Sequence, residues 1–248
     1  MKNTLAIALL LLTNPSHLQA ADPQAPASDQ VWETLFDGKN LEAWSKDGQE
    51  TNWEINAAGE LHPIKGSGTL VTTKRYCDFV LELDFKMGGN AKANSGVFIH
   101  AHNPKEPVTT GMEIQILDNA DYGVPFNAMN ANGAFYDLLP PAVDANKPIG
   151  EWNHFRITIS GQLMVVELNA KEIIRADLKL WKEPGKNPNG GHNKFPYAYG
   201  LMPREGFIGL QNYNATPVWF KNIKVKSLTD RKPRYTGQEP VEQVLVKP

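Results

Sequence analysis

The chain has 248 residues, with 25 Lys and Arg against 27 Asp and Glu, a formal net charge of −2 and 41% hydrophobic residues. That near-balance leaves no electrostatic footprint for nucleic acid or an anionic membrane surface. The single cysteine, Cys77, excludes an intramolecular disulfide, so stability must come from the core, and the length permits one large β-domain as readily as two small ones.

Residues 1–20 begin with a basic residue, Lys2, continue through an apolar run from Leu5 to Leu12 and end in small residues at Ala20 and Ala21. This pattern predicts a signal peptide, because a membrane span would need about twenty apolar residues. The expectation is therefore an exported protein, periplasmic or secreted, with no membrane span. Residues 21–30 read as a Pro/Ala/Asp leader, 31–228 as the folded β-domain, and 229–248, polar and with three prolines, as a tail either ordered by contact or disordered.

Within 31–228 the signal is β almost throughout. Phe36-Asp37-Gly38 reads as a strand end and a turn. Alternating or β-branched runs follow at Asp78–Met87, Gly96–His100, Met112–Leu117, His154–Ser160, Gln162–Leu168 and Val218–Val225, separated by Gly, Asn and Pro clusters. Turns at Ser160-Gly161 and Asn169-Ala170-Lys171 predict a three-strand meander. No stretch sustains a helical apolar period, so two stacked antiparallel sheets are the economical way to bury the apolar faces.

Two connections, 118–150 and 181–205, exceed what joining strands requires, and loops of that length in compact domains are often functional. They carry Tyr122, Phe126, Asn127, Phe135, Tyr136, Trp181, His192, Phe195, Tyr197 and Tyr199. Aromatic faces beside amides suit a sugar ring with apolar faces and a hydroxyl rim. Aromatics also anchor loops to a sandwich, and both roles remain open at this stage.

The stretch GMEIQILDN, 111–119, holds the principal candidates. Strand alternation sends Met112, Ile114 and Ile116 to the core and Glu113 and Gln115 to the opposite face. Glu113 is the carboxylate expected to act as base or proton shuttle, with Gln115 donating to a substrate oxygen. The competing reading pairs Glu113 with Arg156 or Lys86 on a neighbouring strand. Asp118 reads as either an acid or a turn cap. His100, ending NSGVFIH on the side of Phe98, has an ordinary pKa suited to proton transfer. Asn94 and Ser95 are candidate ligand contacts, although Asn94 and Gly96 also favour a turn. His102 and His192 have weaker cases. Asp118, Asp121 and nearby carbonyls could supply oxygens for Ca²⁺, without the spacing of a dense calcium loop.

The blocks LFDGKNLEAW (35–44), YCDFVLELDFKM (76–87), NSGVFIH (94–100), GMEIQILD (111–118), GEWNHFRITISG (150–161) and GFIGLQNYNATPVWFKNIKV (206–225), in this order, closely resemble the 3-keto-disaccharide hydrolase family over about 35 to 228. The resemblance implies an all-β, concanavalin A-like jelly-roll sandwich of two antiparallel sheets. It implies cleavage of 3-keto-glycosides: a base removes the C2 proton that the ketone acidifies, the C1 group is eliminated, and water adds back. It further implies partnership with a glycoside 3-dehydrogenase, which would supply the ketone. On this reading Glu113, His100 and Asp118 are the catalytic candidates, and Gln115, Asn94, Ser95, Tyr122, Phe135, Tyr136 and His192 contact the sugar. The block GMEIQILD also resembles the E-x-D-x-x-E strand of laminarinase-like glucanases, with Gln115 and Asp118 departing from it. A direct retaining or inverting glycosidase using Glu113 and Asp118 is therefore the runner-up, and a non-catalytic carbohydrate-binding module the third reading.

The short apolar run and the small residues after it place the mature N-terminus at Ala21 or Asp22. Intact-mass measurement of the exported protein should show it, and retention of Met1 would contradict the export reading.

Overall fold

The computed structural model describes residues 31–46, 52–89 and 92–246; the predicted signal peptide and leader lie outside them. The strands are β1 (Glu33–Phe36), β2 (Trp44–Lys46), β3 (Trp53–Ile55), β4 (Leu61–Pro63), β5 (Gly68–Thr72), β6 (Phe79–Met87) and β7 (Asn94–Ala101). After a single helical turn, α1 (Pro107–Thr110), come β8 (Met112–Leu117), β9 (Trp152–Ser160), β10 (Leu163–Leu168), β11 (Lys171–Asp177), β12 (Phe207–Asn212) and β13 (Val218–Ser227), and α2 (Val241–Val244) lies near the C-terminus.

These strands form two sheets with antiparallel pairing throughout. One runs β11-β10-β9-β6-β13-β4-β3, with β1 also paired to β13; the other runs β2-β5-β12-β7-β8. The molecule is the concanavalin A-like jelly-roll sandwich that the resemblance implied. The 154–176 meander is present as β9, β10 and β11. The six long strands expected from alternation all form. Of the strands beyond these and the meander, β1 to β5 span only three to five residues each and β12 spans six.

Alternation fills the space between the sheets. Phe79, Leu81, Leu83 and Phe85 of β6 meet Val97 and Ile99 of β7, Met112, Ile114 and Ile116 of β8, and Ile208 and Leu210 of β12. Phe85 and Phe155 stack with ring centroids 4.7 Å apart, and each fully buried side chain of this size contributes roughly 1.5–3 kcal/mol. On the far side of β6 the charged residues pair across strands. Glu82 meets Arg156 and Lys224, Asp84 meets His154, and Lys86 meets Glu60 at 2.9 Å.

The long connections hold the edge of the smaller sheet. Gln115 donates its backbone N–H to Ala134 O, Gly133 N–H donates to Gln115 O, and Tyr136 N–H donates to Glu113 O. Residues 133–136 thus satisfy the outer edge of β8, as unpaired strand edges require. Phe135 then turns inward against Trp181 and Tyr199, while Tyr136 turns the other way. Residues 229–246 also pack on the sandwich. Glu205 Oε1 accepts the backbone N–H groups of Arg234 and Tyr235, Val241 and Val244 are buried, and Val246 N–H donates to Leu201 O at 2.7 Å.

His100 departs from the alternation that the sequence suggests. The register steps three residues along β7, from Phe98 to Ala101, while β12 steps two, from Gly209 to Phe207. His100 takes up the extra residue with φ +50°. The bulge turns its ring inward, edge-on to Phe79 at 5.5 Å, away from the face it would share with Phe98. The backbone of Gly206 lies against this bulge, where a Cβ would come within 2.4 Å of the His100 carbonyl carbon. Gly206→Ala should therefore cost about 1–3 kcal/mol by overpacking, read as a lower midpoint in chemical denaturation. An unchanged midpoint would show that β7 and β12 can separate freely there.

Candidate active site

Glu113 and Gln115 stand on the outer face of the smaller sheet, opposite the core residues Met112, Ile114 and Ile116. In the register, Glu113 lies opposite Phe98, and Gln115 opposite Gly96. The Glu113 carboxylate lies over Gly96, where a Cβ would sit 2.2 Å from Oε1. The NSG motif is therefore strand rather than the turn its composition suggested. Gly96 is small because a carboxylate occupies the space of its missing side chain.

Glu113 is 4% exposed. Burial pushes its pKa up from the ordinary value to about 7, partly offset by the positive charge of Lys194 and a hydrogen bond from the Gln211 side chain. Among the described residues Glu113 has no ion pair, because Arg156 is taken by Glu82 and Glu167 and Lys86 by Glu60. The structural role considered for Glu113 thus has no partner to fill it.

A cleft of about 440 Å³ opens above this face, within the range of small-molecule sites. Glu113 and Gln115 lie in it with Asn94, Gln211 and Asn212, so its polar surface is rich in amides. Ser67 and Thr69 add hydroxyls, and Tyr136 and Tyr213 add aromatic surface. The Lys194 ammonium sits over the Tyr136 ring, 4.2 Å from its centroid. Gln115 Oε1 is buried with no hydrogen-bond partner. A buried amide oxygen without a partner, on a residue that lines the cleft, is an acceptor that a ligand hydroxyl would satisfy.

The structure thus gathers Glu113, Gln115, Asn94 and Tyr136 and places the other candidates elsewhere. His100 Nε2–H donates to Cys77 O at 2.7 Å, and burial drives its pKa down to about 3, so it is a neutral core residue with no reach to the cleft. Asp118 Oδ1 accepts the backbone N–H groups of Ala120 and Asp121, which makes it a turn cap. Ser95 Oγ donates to Gln211 O at 2.6 Å and braces the β7–β12 pair. Tyr122 donates to Lys92 O, Phe135 is core, and His192 is exposed in a short bridge with Lys186. His102 is buried, its Nε2 at 2.9 Å from Glu239 O. Among the described residues no group of three or more His, Cys, Asp or Glu is placed to hold a metal.

Sequence reasoning missed Lys194 and Gln211 as site residues. Gln211 had a usable signal: Ile208 and Leu210 are core, so alternation sends Gly209 and Gln211 to the cleft face. Lys194 sits in a loop with no period to read.

Two outcomes follow from this geometry. A methyl group at Gly96 must displace the carboxylate, so Gly96→Ala should lose activity out of proportion to any loss of stability, with turnover falling at least tenfold in a protein whose circular dichroism is unchanged; native turnover in that variant would show that the carboxylate need not lie there. Because the folded pKa of Glu113 is raised from 4.5 to about 7, the folded state binds this proton more tightly than the unfolded chain does. Its stabilising contribution is full below about pH 4.5 and is lost as pH rises through about 7, on the order of 3 kcal/mol. Denaturation midpoints at pH 5 and 8 should therefore converge in Glu113→Gln relative to the native chain, and an identical pH dependence in both would refute the raised pKa.

Comparison with known proteins places this geometry in a family. A family model described as a 3-keto-alpha-glucoside-1,2-lyase-like domain matches residues 31–226. The 3-keto-disaccharide hydrolase of Bacteroides thetaiotaomicron is 29% identical over 241 residues, covering 83% of this chain and 81% of that protein. A Parabacteroides distasonis protein provisionally named a glycosyl hydrolase is 35% identical in its crystal structure, with a TM-score of 0.71 and 80% of this chain aligned to all of that one. A second protein of that organism with the same provisional name is 26% identical, with a TM-score of 0.66 over 80% of this chain and 94% of its own. The chain belongs to the 3-keto-α-glucoside-1,2-lyase-like domain family.

Proposed function

We propose that this chain is a glycoside-acting enzyme that cleaves sugars whose C3 hydroxyl has already been oxidised to a ketone, with Glu113 as the base that removes the C2 proton. The observation carrying this reading is a nearly fully buried carboxylate, unpaired among the described residues and with its pKa raised to about 7, in an amide-lined cleft. A base poised near the working pH combines an available deprotonated form with useful proton affinity. The family description, a 1,2-lyase of 3-keto-glucosides, supports elimination between C1 and C2. The relative's name, a hydrolase, fits addition of water afterwards.

In this scheme the C2–H pair moves into a C2–C3 double bond and the ketone oxygen becomes an enediolate oxyanion. Lys194, whose charge already acts on Glu113, opposes that developing charge. Collapse of the enediolate breaks the bond from C1 to the leaving oxygen and forms a C1–C2 double bond. Glu113, now carrying the proton, can return it to the departing oxygen, and water then adds across C1 and C2. Gln115 and Gln211 hold hydroxyls, while Tyr136 and Tyr213 offer faces to the ring. On this reading the substrate is first oxidised by a dehydrogenase acting at C3, and the signal-like N-terminal pattern is consistent with a reaction outside the cytoplasm.

The glycosidase alternative requires Asp118 in the cleft as the second carboxyl, but its Oδ1 caps the following turn. A binding-only module has no use for a carboxylate buried beside the cleft with no paired cation among the described residues.

Glu113→Gln keeps the side chain's size and removes the base. Turnover of a 3-keto-glycoside should fall by roughly 10²- to 10⁴-fold with much smaller change in binding. Deuterium at C2 should slow the native protein where proton removal limits the rate, and the unoxidised glycoside should be nearly inert. Equal 3-keto activity in the native and Glu113→Gln proteins would remove Glu113 from the chemistry, and preference for the unoxidised sugar would favour direct hydrolysis.

A further inference from the structure

The cleft has a charge the rest of the chain does not lead one to expect. The chain is formally −2, yet the cleft is lined by two lysines, Lys105 and Lys194, against one carboxylate, Glu113, which is held partly neutral near pH 7. All its other polar side chains among the described residues are uncharged amides and hydroxyls, and neither lysine's ammonium group has a carboxylate of a described residue within 4 Å, Asp137 reaching only the backbone N–H of Lys194. The reaction proposed above gives Lys194 a task with a neutral sugar, but it gives Lys105 none.

Both lysines hang from fixed backbone. Asn103 Oδ1 accepts the Lys105 N–H at 3.0 Å, while Thr110 Oγ1 accepts the Asn103 N–H and donates to the Glu106 carbonyl, so the turn before α1 is tied at both ends. The Lys194 N–H donates to Asp137 Oδ2 at 2.8 Å, and its ammonium rests over Tyr136. Lys194 acts on Glu113; Lys105, on the Pro107–Val108 side of the cleft, has no such task.

The geometry points to a subsite at the mouth of the cleft for an anionic substituent, a carboxylate or a sulfate ester, carried by the glycoside's leaving part and held by Lys105 with Lys194 as supporting charge. The sugar half of this inference rests on the function proposed above; the charge half rests on the cleft alone. Two cations on a small concave surface raise the local concentration of an anionic ligand and favour it over its neutral counterpart. The effect must weaken with salt, because both lysines are exposed.

The test uses three matched disaccharides: one neutral, one with a C6 carboxylate on the leaving ring and one with a 6-O-sulfate there. Binding of the unoxidised forms is measured by calorimetry, and turnover of their 3-keto forms by product release. At low salt at least one anionic form should bind about fivefold more tightly than the neutral one, an advantage that largely disappears near 0.5 M NaCl. Which of the two is favoured identifies the substituent. Lys105→Met should reduce the anionic-to-neutral ratio toward one, and Lys105→Glu should invert it. Equal binding of all three sugars by the native protein, a preference insensitive to salt, or a ratio unchanged in both Lys105 variants would overturn the subsite. Because binding and turnover are read separately, preferential binding without any 3-keto turnover would sink the reaction and keep the subsite, whereas turnover without preference would do the reverse.

Discussion

Removal of the Glu113 carboxylate from water is the constraint around which the site is arranged. A carboxylate placed over the bare backbone of Gly96, with Phe98 opposite it in the register, has lost most of its solvent. Burial without a paired cation favours the protonated form, so the group titrates near neutrality instead of remaining fully charged. Lys194 and Gln211 moderate the cost without abolishing it. A full ion pair at this position would have held the pKa low and made a structural residue of the same glutamate.

Keeping that carboxylate in place falls largely to the long connections. β8 ends its sheet, and without the 133–136 segment its outer edge would carry unpaired backbone groups beside the catalytic candidate. The three backbone bonds from that segment to Glu113 and Gln115 fix the strand on which both sit. The same segment sends Phe135 into a cluster with Trp181 and Tyr199, so its position is held by core packing. Tyr199 in turn donates to Gly111 O at 2.8 Å, one residue before β8 begins. The two loops whose length suggested function thus serve partly as scaffold, and one described side chain from each, Tyr136 and Lys194, reaches the cleft.

The sequence made the sandwich legible wherever a strand was long enough to repeat its alternation, as in β6, β8, β9 and β13. The strands β1 to β5 gave little period because three to five residues hold at most two or three inward positions each. Glu113 and Gln115 were readable for the same reason as β6: polar residues at every second position between isoleucines must face away from the core. His100 was misplaced by one side because a single left-handed residue inverts the alternation, and no residue type announces that a histidine will adopt φ +50°. Asp118 was ambiguous in sequence between acid and cap, and its contacts to Ala120 and Asp121 place it as a cap. Lys194 comes to the cleft through tertiary packing alone, which local pattern cannot encode.

Moving His100 to the core also changes the chemistry left to the cleft. With its Nε2–H committed to Cys77 O and its ring against Phe79, it cannot exchange protons with a sugar. Among the described residues no histidine lines the cleft, and Glu113 is its single carboxylate. In the proposed reaction one group would then both accept and return the proton, which suits a path in which these events are separated in time. Elimination through an enediolate has that order, because the proton leaves C2 before the C1 oxygen needs one. Direct hydrolysis with two carboxyls requires an acid and a base or nucleophile present together, on opposite sides of the same bond. A cleft with a single carboxyl titrating near neutrality is therefore better matched to the stepwise path than to the concerted work of a paired-carboxylate glycosidase.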